Sequence, residues 1–362
     1  MSRFRRLNQQ IDTVGDLRQL SVLRILLGPV VLLHLRDTFT AARDGIVYSD
    51  RFYLPYFDWY PEVGPTLYEV LLWACAISAI AMSVGLATRL ATSYTALFVG
   101  YNIFLSKTHF AHNRAFLLIL LVTIAIVPVG RHYSFDKLVR RWLRSPEPDA
   151  TPLWPLWLVR FEVAAVYCAS GASKVIDQDW WSGRVLQLRA IDNRELAIDQ
   201  GAPSWLMDAL ADGTVQSWLS KASVLTEFVI GLGFLHRRTR LLAIWVAIPF
   251  HLTIQIGARV QVFSWAALAA LVIWVTPGDH TRELIVPRNH RLARWVPRLD
   301  WFGRFRVDPD DGQTVLLMDN RGPDRRGSDG IWTTLSRLPA TFIVAGPVLA
   351  IRRRRWSSAP DS

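Results

Sequence analysis

The chain has 362 residues, 51% of them apolar and 20% charged, with 16 Trp, a net charge of +11 and a positive mean hydropathy. Charges are segregated from long apolar runs, as a bilayer demands, which excludes a chain of soluble domains over most of this length. The positive excess sits in loops and tails between those runs, so membrane lipid of an anionic inner leaflet is the expected partner and nucleic acid is not.

From Met1 to Arg18 the chain is polar and lacks the apolar segment and small-residue site of a cleaved leader. Apolar stretches near the ~20 residues a bilayer requires follow at about 20–36, 66–86, 90–105, 115–130, 154–173, 222–236, 241–257 and 260–276. They are continuous rather than alternating, which excludes a β-barrel. Cys75 and Cys168 each lie inside such a run and read as small core residues, with no metal-ligand spacing around them. The expected fold is an all-α integral membrane protein, a polytopic bundle of about eight transmembrane helices over residues 18–280. It is flanked by a cytoplasmic tail at 1–17 and a small, basic cytoplasmic C-terminal tail at 281–362.

Basic residues set the orientation. Arg3, Arg5, Arg6 and Arg18, then Arg131, Lys137, Arg140, Arg141 and Arg144, then Arg237, Arg238 and Arg240 alternate with acid-bearing loops. With eight spans these clusters fall on one side, so both termini are expected in the cytoplasm of a multi-pass cell-membrane protein. The opposite side receives the loops 37–65 and 175–221. The second carries Trp180, Trp181, Trp205 and Trp218 among polar residues, which suits a re-entrant or interfacial cap.

Ionisable groups inside spans cost on the order of 2.5–3.5 kcal/mol each at mid-helix, so each is a candidate for function. Arg160, Tyr167 and Lys174 are seven residues apart and share one stripe of the fifth span, with Ser170 and Gly171 as small residues between them. Two readings stand: a polar seam with Lys174 reaching for the surface, or a site with Lys174 as a base. The chain uses 37 Arg and only Lys107, Lys137, Lys174 and Lys221. Lysine, unlike arginine, can give up its proton when desolvated. His251 in Pro249-Phe-His-Leu252 reads either as a hydrogen-bonded structural residue or as part of that site. His109 and His112 have a pair spacing without a third ligand, so no metal is expected. Glu227, Glu69, Arg24 and His34 also lie in or near spans and are expected to find internal partners.

The run Tyr167-Cys-Ala-Ser-Gly171-Ala-Ser-Lys174-Val-Ile-Asp-Gln-Asp179-Trp180-Trp-Ser-Gly183 resembles the Tyr, Gly, Lys and Asp-Trp-x-x-Gly block of the vitamin K-dependent gamma-carboxylase-like family, with one residue inserted after the lysine. This is also called the horizontally transferred transmembrane domain family. Phe250-His251-Leu252 with Phe263 resembles a second block, although Ile254 and Gln255 stand where the enzyme has Asn and Ser. Lys107-Thr108 through Arg131 to Ser134 and Asp136 resembles a third, in which the catalytic-site histidine aligns with Asn113 and His112 is one position earlier.

The resemblance covers about residues 15–280 and implies Lys174 as the base that deprotonates a quinol of the vitamin K or menaquinol type. It also implies His251 and His112 or Asn113 as catalytic companions. Around them, Tyr167, Gly171, Trp180, Trp181 and Arg160 would bind the cofactor. A carboxylase-like lyase acting on a secreted peptide or protein is one implied function. A non-catalytic membrane protein that binds lipid or assists maturation or export of such a peptide is the other. Residues 296–350, with a strand expected at 314–318, resemble the end of the thiol-disulfide oxidoreductase family named for its Asp-Cys-Cys motif. No cysteine follows Cys168, so that resemblance implies a redox-dead remnant. The apolar run 338–351 is short for a span and is expected as an interfacial helix.

Overall fold

The computed structural model describes residues 12–47, 54–145, 148, 150–199, 201–236, 238–257, 262–275, 282–319 and 323–357. Arg3, Arg5, Arg6 and Arg237, used above for orientation, lie outside the described residues. The chain divides into two compact units, Met1–Trp274 and Val275–Ser362.

In the first unit a helix stands at every apolar stretch: Arg18–Arg43, Pro65–Val84, Thr88–Leu105, His112–Ile126, Trp154–Ile176, Gly213–Leu235, Arg240–Gly257, and Phe263–Ala270 continued as a 3₁₀ turn to Trp274. Three of these, Arg18–Arg43, Pro65–Val84 and Gly213–Leu235, are long and apolar enough to cross a membrane, and 112–126, 240–255 and 263–274 are shorter apolar helices. Their outward faces are apolar: Ile77, Leu90, Leu97, Phe161 and Leu225 are all strongly exposed, which suits a lipid surround rather than water. Arg18–Arg43, Pro65–Val84, Thr88–Leu105 and His112–Ile126 pack each on the next, as do Trp154–Ile176, Gly213–Leu235 and Arg240–Gly257, and Phe263–Ala270 packs against Arg18–Arg43 and His112–Ile126.

The ends of these helices explain several polar residues. Pro65 opens its helix after Gly64, where its missing N–H costs nothing. Gly85 ends the same helix at φ +74°, and a Cβ there would meet Arg24 Nη1 at 2.6 Å and Ser134 Cβ at 2.4 Å. Glycine is needed for both reasons. Arg24 is fully buried and donates to the carbonyls of Met82, Ser83 (3.0 Å) and Tyr133 (2.7 Å). A cation thereby satisfies the negative end of the Pro65–Val84 helix. Asp136 accepts the backbone N–H groups of Ala87 (2.8 Å) and Thr88 (2.7 Å) at the positive end of the next helix. Ser134 accepts from Lys137 N to start the short helix Phe135–Trp142. The Ser134 and Asp136 positions singled out in the sequence therefore staple one end of the bundle.

Residues 177–212 are not a free loop. They form the short helices Gln178–Trp181, Arg184–Asp199 and Ser204–Ala211. Arg194 ties the last two together by donating to Asp208 from Nε (2.9 Å) and Nη2 (2.7 Å).

The helical reading holds for the first unit, apart from a short antiparallel pairing of 14–16 with 150–152. The second unit adds a four-stranded sheet where one strand was expected. Strand Arg282–Pro287 is central, with Phe305–Asp310 parallel on one side and Leu316–Asp319 antiparallel on the other, followed by Arg325–Arg326. Alternating burial along 282–287 turns Leu284 and Val286 into a core with Leu292, Val296, Phe305, Val315, Leu317 and Leu338. Helix Arg291–Leu299 links the two parallel strands, as such a crossover requires. The final helix, Phe342–Ser357, packs on Gly327–Leu335 and buries Ala345 and Leu349, while Val344 and Ile351 remain exposed.

Candidate functional site

The helix Trp154–Ile176 carries the predicted stripe, and the structure divides it. Arg160 is buried and donates from Nε (3.1 Å) and Nη2 (2.9 Å) to the Ile273 carbonyl, with its guanidinium 5.3 Å from the ring centres of both Trp157 and Trp274. It secures the end of the Phe263–Trp274 segment, about four turns and ~21 Å of helix away from Lys174.

Tyr167 and Lys174 are at the other end of the stripe, each with a partner from another helix. Tyr167 Oη is 2.5 Å from His251 Nε2, and both side chains are buried. The His251 ring also meets Phe263 edge-on at 5.4 Å. Lys174 Nζ is ion-paired with Glu227 Oε1 from helix Gly213–Leu235 and donates to Ser170 Oγ at 3.1 Å. Ser170 Oγ in turn donates to the same Glu227 oxygen at 3.1 Å. The ammonium lies 4.8 Å from the Trp180 ring centre, a favourable cation–π position. Lys174 keeps 15% of its side chain exposed and Glu227 only 3%. A Lys–Glu pair held this way is net neutral, which is how a low-dielectric region tolerates two ionisable groups.

Two buried atoms in this cluster have no hydrogen-bond partner among the described residues: Glu227 Oε2 and His251 Nδ1. Glu227, Ser170 and Tyr167 border a recess with Phe116, Val166, Phe263 and Ala267.

Glycines let the helices approach. A Cβ on Gly171 would lie 3.1 Å from the Phe228 ring, and one on Gly231 would lie 2.8 Å from Cys168 Sγ. The Trp154–Ile176 and Gly213–Leu235 helices pack through these two small residues. Beyond Lys174 the chain turns sharply. Asp177 accepts from the N–H groups of Asp179 and Trp180 to start the Gln178–Trp181 helix. Ser220 Oγ donates to the Trp180 carbonyl, and Gly183 follows at φ +85° against the backbone of Gln216 and Ser217. The Asp-Trp-x-x-Gly block thus folds Trp180 back over Lys174. Trp181 faces elsewhere, with Lys221 5.7 Å from its ring.

His112 and Asn113 open the helix His112–Ile126 one turn before Phe116. The His112 ring packs edge-on to Phe110 at 5.5 Å, and Asn113 Oδ1 accepts from the Arg114 N–H at 2.9 Å. The structure brings Lys174, Tyr167, Gly171, Trp180 and His251 together, engages Arg160 at the Ile273 carbonyl and Trp181 with Lys221, and packs His112 on Phe110. Glu227, Phe116 and Phe263 belong to the cluster although sequence reasoning did not assign them. The signal for Glu227 was available: it is a carboxylate in the span next to the one bearing Lys174, and opposite charges inside a membrane pair with each other.

The HTTM domain profile matches residues 13–278. No curated protein and no solved structure shows significant similarity to the chain. The match covers most of the sequence and all of the helices that build the cluster, and the chain belongs to the HTTM domain family, whose domain is the one found in vitamin K-dependent gamma-carboxylase-like membrane proteins.

Proposed function

We propose that the eight apolar helices are eight membrane spans with both termini in the cytoplasm, and that the Lys174 cluster is a proton-handling site opening toward the external half of the bundle. The basic loops support the orientation. Reporter fusions after Arg144 and after Arg240 are expected to read cytoplasmic, and one near Asp199 external. The reverse pattern would overturn the topology.

The observation that carries the functional reading is the Lys174–Glu227 pair, with Glu227 Oε2 unpartnered at the recess it shares with Tyr167 and Ser170. Transfer of one proton from Nζ to Oε1 converts the ion pair into a neutral amine and a neutral acid without changing net charge. Lys174 then presents a lone pair for general-base work, with its proton held on Glu227. The Tyr167–His251 pair offers a second place to hold a proton, because a tyrosine hydroxyl both donates and accepts. The recess as it stands has room for about one water, so a quinol-type molecule would have to part its lining to set its ring against Phe116 and Phe263 and its hydroxyl near Glu227. When bound, it supplies an acidic hydroxyl and two-electron redox chemistry. Lys174, Glu227, Ser170 and Tyr167 would orient that hydroxyl, and Trp180 would shield the ammonium from water.

The second reading is a protein that binds a lipid or quinone, or assists maturation or export of a secreted peptide, without turnover. The packing of the His112 ring on Phe110 favours it. Native mass spectrometry of the purified protein separates these readings from a purely structural seam. A co-purifying quinone is expected in the wild type and is expected to be depleted in Lys174→Met. Lys174→Arg preserves fold and ligand but abolishes quinol-dependent turnover, because guanidinium does not act as a base at accessible pH. Turnover that survives Lys174→Arg would leave the binding reading, and absence of any retained quinone or lipid would remove both.

A further inference from the structure

The second unit gathers arginines at one end of its sheet. Arg282 opens the central strand, in register with Phe305 on one side and Asp319 on the other, and Arg304 immediately precedes Phe305. Arg282 is ion-paired with Asp319 at 2.9 Å. Arg304 Nη1 donates to the main-chain carbonyl of Arg337 at 2.9 Å, which draws the turn after helix Gly327–Leu335 to the same end. Arg325 pairs with Asp329 at 2.6 Å, and Arg353 from the last helix approaches that carboxylate at 3.7 Å and bonds Thr333 Oγ1 at 3.1 Å.

These groups feel one another. Burial, then neighbouring Arg282 and Arg337, push the Arg304 guanidinium down to about 10, against the pull of Asp300. Partial burial, then Arg282, also push Arg337 down; Asp319 opposes this, and Arg353 and Arg325 add to it. The arginines Arg282, Arg304, Arg325, Arg337 and Arg353 thus share this end of the unit with the carboxylates of Asp300, Asp319 and Asp329. Arg337 is exposed, and its guanidinium donates no hydrogen bond to a protein group among the described residues. The fold gathers like charge at this end of the unit and leaves the planar fork of Arg337 open to solvent beside it, an arrangement suited to oxyanions.

We propose that this end of the second unit binds a phosphoryl oxyanion, with Arg337 as the recognising residue and Arg282, Arg304 and Arg353 around it. An anion seated there offsets the positive charge gathered at this end and takes the donors of the exposed Arg337 fork. The same chemistry is presented by free phosphate and by the headgroup of an anionic lipid.

The test is amide hydrogen exchange of the full-length protein in phosphatidylcholine nanodiscs, with and without millimolar inorganic phosphate, and in nanodiscs containing phosphatidylglycerol. Exchange at residues 303–305 and 336–338 is expected to slow several-fold. Slowing by phosphate in phosphatidylcholine assigns the site to a free anion, and slowing only with phosphatidylglycerol assigns it to a headgroup. Arg337→Gln and Arg353→Gln are each expected to lose the protection, while Arg298→Gln, the same charge change at an exposed arginine outside the cluster, retains it. Unchanged exchange along 282–287 in each variant shows that the sheet is still folded. No slowing with either anion, or equal loss in Arg298→Gln, would overturn the site.

Discussion

Glu227→Leu is expected to lower the unfolding midpoint of the detergent-solubilised protein by about 5–10 °C, corresponding to roughly 3 kcal/mol. The substitution leaves the Lys174 ammonium in a largely desolvated place, with Ser170 Oγ and the Trp180 ring as its remaining contacts among the described residues. Removing one member of a buried pair costs about 3–5 kcal/mol. The lower end applies here because Lys174 is 15% exposed and its stem can turn the charge outward. The companion variant Lys174→Met/Glu227→Leu removes both charges and is expected to recover most of the loss, since an apolar pair of similar volume packs without a desolvation penalty. Thermal unfolding of the single and double variants closes the cycle. Equal midpoints for wild type and Glu227→Leu would mean that the two charges do not meet.

Gly183→Ala should be the most damaging small substitution in the cluster. At φ +85° an added Cβ would lie 2.3 Å from Ser217 N and 2.4 Å from Gln216 C. Both contacts are backbone, so no side chain can swing aside. Left-handed strain costs about 1–2 kcal/mol and overpacking about 1–3 kcal/mol more, for a sum of roughly 3 kcal/mol. The start of helix Gly213–Leu235 must shift, and with it the Ser220–Trp180 bond that seats Trp180 over Lys174. Gly201→Ala is the matched control, because Gly201 has φ +92° and nothing within 4 Å of an added Cβ. It should lose only the strain contribution. Comparable thermal midpoints for the two variants would show that the close approach at Gly183 is not tight.

The Lys174 stripe marks where sequence reasoning stopped. A spacing of seven places Arg160, Tyr167 and Lys174 on one face, and that much is local geometry. It says nothing about which neighbouring helix each side chain meets. Arg160 ends on the Ile273 carbonyl, 113 residues away in sequence, and Tyr167 ends on His251, 84 residues away. Trp180 and Trp181 are adjacent and equally suited to an aromatic wall, yet the Asp177 cap and the Gly183 turn point Trp180 to Lys174, while Lys221 takes Trp181. The sheet of the second unit escaped for a different reason. Phe305–Asp310 reads Phe-Arg-Val-Asp-Pro-Asp, an alternation with only two apolar residues before a proline, and Arg325–Arg326 is two residues long, so each is too weak a signal to identify a strand.

The sequence alone determined that long apolar segments would form helices and roughly where each lies, although the first runs on to Arg43 and the sixth begins already at Gly213, and that Lys174 stands out among the cations. Hydropathy and helical periodicity are sums over neighbouring residues, so no tertiary information is needed for these. Only the tertiary structure decided that Glu227 is the partner of Lys174, that Arg160 secures the Trp274 end of the bundle, and that Arg24 closes the Pro65–Val84 helix. Those pairings depend on helix rotation and approach, fixed by contacts such as Gly231 on Cys168 and Gly85 on Arg24, which no local window of the chain contains.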